Sequence, residues 1–557
     1  MKIRDLPIGI ENYKEASAKY YVDKTLLLRD ILERGEGKAI LLTRPRRFGK
    51  SLALSMVDYF FNIKEQSRSL FEDRLIWSIP GIENKINSHP VIHLNMKGLE
   101  ESRSVSILDA VKDRIFLLYR EYPELLDSAS LDAVEKEEFE AIYSKRADPV
   151  LLVSSLQRLS RFLFKHYGEK TVLLIDEYDG PIQSAFESGC YEEVMEFFKP
   201  FYGGALKGND NLYFALLSGV LQISKESLFS GLNNLLVSSV ASRFLGDYFG
   251  FTETEVSQML KDFEVNVDPA VVREYYGGYL LSNGKEVYNP WSMLNFVEER
   301  KIKSFWANTG SNELLLSVIR MEKSRTSLLD FLNNATKKAP FNPAISYKDI
   351  RENAASSLSF LAQTGYLSLS ADSSDYLNDV YEYRIPNREI YEVFKTEIIG
   401  RSVDPESMDA ASRLKESILA RQEEEIQSIL QQYLLSALST YDLSDERNYH
   451  NAITGLLAVL FDHYVVKNEV DSGTGRCDIL MIPKEPKQIG IVIEVKRSRA
   501  KDPLSKARLN RLAAQALAQA KRKDYPEILR QAGCAAIYLY GFAFQNKASS
   551  IASEKFA

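Results

Sequence analysis

Four short, continuous apolar runs, each followed by a stretch of helix length, constrain this chain more than any other feature. The runs are Lys38–Thr43 (KAILLT), Val91–Met96 (VIHLNM), Thr171–Asp176 (TVLLID) and Asn211–Gly219 (NLYFALLSG). Strands without polar alternation must be covered on both faces, and helices between them are what a parallel sheet needs. SLALSMVDYFF from Ser51, Val105–Tyr122 and Val150–Tyr167 supply helical patterns of the right length. The expected fold is therefore α/β, with a parallel sheet in the first part of the chain. At 557 residues the chain is too long for one core. We expect a parallel-sheet α/β domain over 1–245, a lid or winged-helix-like region over 246–400, a helical linker over 401–440 and a smaller α/β domain over 441–557.

The first run leads into TRPRRFGKSL. Gly49, Lys50 and Ser51 fill the last three places of the pattern G-x-x-x-x-G-K-[ST], in which backbone N–H groups at a helix start curl around phosphate. The lysine reaches the outer phosphates and the hydroxyl holds Mg²⁺. Arg44 stands where the pattern has its first glycine. A Gly-Lys-[Ser/Thr] tripeptide occurs by chance in roughly a quarter of chains this long, so the strand before it and the helix after it carry the weight. The segment Arg46, Arg47, Phe48, Gly49, Lys50, Ser51 and Leu52 is the expected nucleotide-binding loop. TVLLIDEYD adds Asp176 and Glu177 at a strand's carboxyl end, on a strand expected to neighbour the loop's own. There one carboxylate can hold the metal's water shell and the next can polarise the attacking water. Ser218, ending the next run, is either a sensor of the terminal phosphate or an ordinary strand-end turn serine.

The last 115 or so residues have a second constellation. IGIVIEVK places Glu494 and Lys496 on one face of a strand, because residues two apart share a face. Asp478, in GRCDILMI, lies one hairpin earlier. Two carboxylates can bind Mg²⁺, and a lysine beside the scissile phosphate can orient or activate water. Charges ending so apolar a strand need partners or a metal. Arg497, Arg499, Lys501, Lys506, Arg508 and Arg511, then Lys521, Arg522 and Lys523, make this region basic in a chain whose formal charge is −7. The stretch is either a track for phosphate backbones or a solvated helix face. Three widely spaced cysteines and five histidines exclude a disulfide framework and leave little for zinc. No run approaches the roughly 18 apolar residues of a membrane span, and MKIRDLPIGIENYKEAS lacks a signal peptide's apolar core, so a cytoplasmic protein is expected.

LPIGIENYKEASAKYYVDKTLLLRDIL, TRPRRFGKSL, VLLIDEYDGPI, LSGVLQISKESLFSGLNNL, FGFTETEV and VYNPWSMLNFV together resemble the AAA-ATPase-like family of prokaryotic P-loop proteins. In this family an ATPase domain precedes a nuclease-like domain of the PD-(D/E)XK superfamily. SDERNYHNAI, VDSGTGRCDILMIPKEPKQIGIVIEVK and ALAQAKRKDY resemble that second domain. The resemblance implies ATP and Mg²⁺ as cofactors, with Lys50 on phosphate, Ser51 and Asp176 on the metal, and Glu177 on the catalytic water. In the second domain it implies Asp478, Glu494 and Glu446 as metal ligands, Lys496 as a catalytic group, Gln519 as the helix glutamine facing them and His450 as a further site residue. DNA or RNA is the implied partner, with no membrane partner; a homo-oligomer is compatible with the reading. The rival expectation is an ATP-controlled nucleic-acid or protein binding module without cleavage.

Overall fold

A computed structural model describes residues 5–99, 107–223, 228–229, 231–280, 284–306, 331–332, 336–371, 380–402, 405–437, 463–471, 476–485, 487–498, 502–522 and 525–556, with single residues at 318, 449, 453, 457 and 500. It divides into two compact units, 1–310 with 338–389, and 311–337 with 390–557.

The first unit is built on five parallel strands: β1 (Ala39–Thr43), β2 (Val91–Asn95), β3 (Thr171–Asp176), β4 (Leu212–Gly219) and β5 (Leu235–Ser238), in the order β2-β3-β4-β1-β5. Every residue of β1 and β3 is buried, as their unbroken apolar runs require. One expectation is corrected here: β3, which carries Asp176, does not neighbour β1. Strand β4 lies between them, pairing Leu41 with Leu217 on one side and Ile175 with Leu217 on the other. Helix α1 (Lys50–Phe61) packs Leu54, Val57, Phe60 and Phe61 against Ile40, Leu42, Leu174 and Leu216. That layer fixes the start of α1 over the carboxyl ends of the strands.

The 150–167 pattern is two helices, Pro149–Val153 and Ser155–Tyr167, broken at Ser154. Further along, Thr252 caps the helix Glu253–Asp262 with a reciprocal Glu255 bond, as its position before a Glu-rich turn suggests. Around it lie β6 (Phe251–Thr252), β7 (Tyr279–Leu280) and β8 (Glu286–Tyr288), ordered β6-β8-β7. The antiparallel β7–β8 pairing fits the hairpin expected at Asn283-Gly284; Asn283 itself is outside the described residues. Helix α2 (Pro290–Glu299) follows, capped by Asn289. A second small sheet holds β9 (Lys337–Pro340), β10 (Ser368–Ala371) and β11 (Val380–Arg384) in the order β10-β11-β9.

In the second unit the expected linker helix is a pair, Pro405–Ala420 and Glu423–Ala437, separated at Arg421, whose φ is 54°. The sheet runs β12 (Tyr464–Asp471), β13 (Arg476–Pro483), β14 (Ile489–Arg497), β15 (Ala536–Gln545) and β16 (Ala548–Lys555) in sequence order. All neighbours are antiparallel except β14–β15, which are parallel and bridged by helix α3 (Lys506–Arg522). Helix α3 puts Ala513, Ala516 and Ala520 onto the sheet, and these small side chains permit a close approach. It comes so close that a Cβ on Gly541 of β15 would lie 2.2 Å from the Ala513 carbonyl oxygen. The 473–475 turn lies outside the described residues.

Candidate functional sites

The loop between β1 and α1 wraps the rim of a cavity of about 270 Å³. Gly49 is the N-cap of α1 with φ 86°, a left-handed conformation that glycine adopts without a Cβ clash. No side chain caps this helix start. Its first N–H groups therefore face a cavity lined by Arg46, Arg47, Phe48, Gly49, Lys50, Ser51 and Leu52. An uncapped helix start with a lysine and a hydroxyl beside it fits a phosphate chain.

Lys50 is buried, and its ammonium donates to the carbonyls of Arg44 and Pro45, both at 3.0 Å. Burial lowers its pKa, while Glu177, Asp176 and Asp179 pull the other way. Burial also raises the Asp179 carboxyl, although the Leu221 and Val220 N–H groups at 2.9 and 2.8 Å and Lys50 favour its ionised form. Glu177 lines the same cavity from a strained backbone position, φ 54°. Asp176 does not line it: the side chain is buried, where the Ser218 hydroxyl and the Glu177 N–H donate to it. Ser218 is fully buried and absent from the cavity wall, so in this geometry it orients Asp176 instead of facing the space where phosphate would sit.

Arg44 has its own explanation. Its N–H continues the ladder by donating to the Gly219 carbonyl, so the backbone here is strand-like and needs no glycine. The guanidinium turns away from the cavity, donating to the Thr43 and Ser238 carbonyls at 2.7 Å each and to Ser238 Oγ at 3.1 Å. It lies 5.0 Å from the Phe249 ring, and burial pushes its pKa down to about 9. Phe249 lines the cavity, so this arginine ties the loop's base to one cavity wall.

The cavity's apolar lining is drawn from distant segments: Tyr20, Tyr21 and Val22 near the start, Tyr248, Phe249 and Phe251, and Trp291 and Leu294 of α2. Local pattern did not identify these as site residues. The segments holding them are among those that carry the family resemblance, which is the signal that could have found them.

In the second unit the β13–β14 ladder is registered through Ile479–Ile493, and one further step brings Asp478 opposite Glu494. The Asp478 carboxylate accepts the Val495 N–H at 2.7 Å, which ties it between Glu494 and Lys496. Glu494 is 1% exposed; Lys496 is half-buried on the same strand face. Glu494 pairs with Gly541 and Lys496 with Ala543, so both sit on the sheet face that α3 covers. Gln519 is half-buried on α3, one residue from the buried Ala520. Two facing carboxylates with a lysine beside them suit a divalent cation. Among the described residues no three His, Cys, Asp or Glu side chains converge; Glu446 and His450 lie outside those residues. Arg508 and Arg511 are exposed on α3, whereas Lys521 pairs with Glu554. Arg499, Lys501 and Lys523 also lie outside the described residues.

Comparison with known proteins agrees with this division. Residues 7–229 match the family of predicted AAA-ATPases, and residues 444–554 match the PD-(D/E)XK nuclease superfamily. A relative described as an uncharacterized protein in the vnfD 5′ region of Azotobacter chroococcum mcd 1 is 28% identical over 396 residues, covering 70% of this chain and 69% of its own. No solved structure matches the chain. No described helix is long and apolar enough to cross a membrane.

Proposed function

From a chain that joins an AAA-ATPase-like domain to a PD-(D/E)XK nuclease-like domain, we propose an ATP-binding and ATP-hydrolysing protein that controls Mg²⁺-dependent cleavage of DNA or RNA. In the first unit, the N–H groups from Gly49 to Leu52 and the Lys50 ammonium bind the phosphates. Ser51 holds the metal, Asp176 holds the metal's water shell from behind the cavity wall with Ser218 keeping it in place, and Glu177 accepts a proton from the attacking water. The cavity's apolar lining takes the base.

In the second unit Asp478 and Glu494 hold Mg²⁺, with Glu446 as a further ligand. Bound Mg²⁺ would supply Lewis-acid stabilisation of the phosphorane charge. Lys496 orients water beside the scissile phosphate, and Gln519 closes the site from α3. The exposed arginines of α3 contact the phosphate backbone without reading sequence.

One observation carries the nuclease half. Glu494 is a carboxylate 1% exposed at the end of an apolar strand, with Asp478 drawn to the adjoining backbone at Val495. Two acids so close gain from a cation between them. Asp478→Asn and Glu494→Gln keep shape and remove charge, so each should abolish Mg²⁺-dependent cleavage while the melting temperature holds or rises. Cleavage at the wild-type rate by both folded variants would remove this site from the account. A folded wild type that binds nucleic acid but never cleaves would favour the non-cleaving binding module.

A further inference from the structure

The cavity rim holds a cation that the phosphate loop's usual chemistry does not employ. Arg47 has φ 68°, an uncommon conformation for a residue with a Cβ. Its guanidinium sits 4.2 Å over the ring of Trp291 at the start of α2. Trp291 is itself fixed by donating from Nε1 to the Phe305 carbonyl at 3.3 Å. Both residues line the cavity, as do Glu177 and Asp179. Lys50 is already occupied by two loop carbonyls.

A nucleoside triphosphate carries about four negative charges, of which Mg²⁺ offsets two, into a cavity that also contains carboxylates, so more than the single Lys50 charge is needed on the phosphates. We propose that Arg47 is a second phosphate-binding cation, that Trp291 is its resting partner in the empty cavity, and that Arg47 makes the site prefer triphosphate over diphosphate. The proposal rests on the nucleotide reading above. A guanidinium pairs with phosphate through two parallel hydrogen bonds, which outweighs a cation–π contact. Because Coulomb attraction scales with the ligand's charge, losing Arg47 costs ATP more than ADP. Filling the cavity frees the Trp291 ring, so its fluorescence reports occupancy.

The test is titration of the full chain with MgATP and MgADP, followed by calorimetry and by tryptophan fluorescence. Arg47→Ala should weaken ATP at least tenfold and ADP less, narrowing the ratio between them. Trp291→Phe should lose the fluorescence response that the wild type shows, which assigns that response to this ring among the chain's three tryptophans. If the wild type binds ATP and Arg47→Ala retains both constants within twofold, or if the wild-type fluorescence ignores bound ATP, the proposal is overturned while the nucleotide site stands. A wild type that binds neither nucleotide overturns both.

Discussion

Replacing Gly541 with alanine puts the packing of the second unit to a quantitative test. The added Cβ would lie 2.2 Å from the Ala513 carbonyl oxygen, 2.3 Å from the Leu517 nitrogen and 3.0 Å from Leu517 Cα. These are backbone atoms of α3, so no rotamer change relieves the clash. The helix must rise from β15 by roughly 1 Å to restore ordinary contact. Overpacking costs about 1–3 kcal/mol, and an obstruction made of helix backbone belongs at the top of that range, about 3 kcal/mol. At 1.4 kcal/mol per factor of ten, local opening of α3 becomes roughly 100-fold more frequent. Native-state hydrogen exchange over 506–522 reads that change directly in the full chain. Gly203→Ala is the contrast: it lies inside the helix Tyr191–Leu206 with nothing within 4 Å of the new Cβ. It should stabilise its own unit by roughly 0.5–1 kcal/mol. Gly541 pairs with Glu494, so lifting α3 should also loosen the carboxylate site and slow cleavage. Unchanged exchange over 506–522 in Gly541→Ala would refute the close approach on which the geometry around Glu494 and Gln519 depends.

Two further predictions concern charge. Glu389 is fully buried, accepting from Ser292 Oγ at 2.7 Å and from the Phe305 and Trp306 N–H groups at 2.7 and 2.9 Å. Burial raises its carboxyl above the unfolded value despite those donors. Folding therefore favours the protonated form, so this group's stabilising contribution is complete below the unfolded pKa and lost as pH rises through the folded one. Relative to wild type, Glu389→Gln should be most stabilised near pH 8, with the advantage shrinking toward pH 4; a difference in melting temperature independent of pH contradicts this. Charge reversal at Arg508 and Arg511 should weaken nucleic-acid binding equally for unrelated sequences and lower the slope of log K against log salt by about 1–2. An unaltered slope, measured by anisotropy, assigns those arginines to a solvated face.

Much of the sheet in the first unit was legible because a strand buried on both faces leaves a continuous apolar run, as β1 to β4 do. Their order was not. Pairing between β1 and β4 joins residues more than 170 positions apart, and nothing in a local pattern records which strand slips between two others. Strand β5 is only four residues long, and β16 (ASSIASEK) mixes small, polar and charged residues at a sheet edge; neither has the composition that marks a strand. The helix breaks at Ser154 and Arg421 follow no proline or glycine, so periodicity ran through them. The candidate residues Lys50 and Ser51, or Glu494 and Lys496, could be picked out from a motif's spacing together with the strand and helix pattern around it. Arg44 could not: its sequence position suggests a defective loop, and only the buried bonds to Ser238 show why the residue is tolerated. Trp291 lies more than 240 positions from Arg47, and their stacking is a product of the fold.

The central claim, that nucleotide at the β1–α1 loop governs cleavage at Asp478 and Glu494, is tested most directly by one assay. Cleavage of labelled single- and double-stranded DNA and RNA by the full chain is followed in Mg²⁺, with and without ATP, for the wild type and Lys50→Ala. The account predicts Mg²⁺-dependent cleavage whose rate changes with ATP in the wild type, and in Lys50→Ala changes only at correspondingly higher ATP concentrations. Lys50→Ala loses a charge-assisted phosphate contact of about 1.5–3 kcal/mol, so its ATP affinity should fall roughly 10- to 150-fold. Wild-type cleavage that is identical with and without saturating ATP would contradict the account.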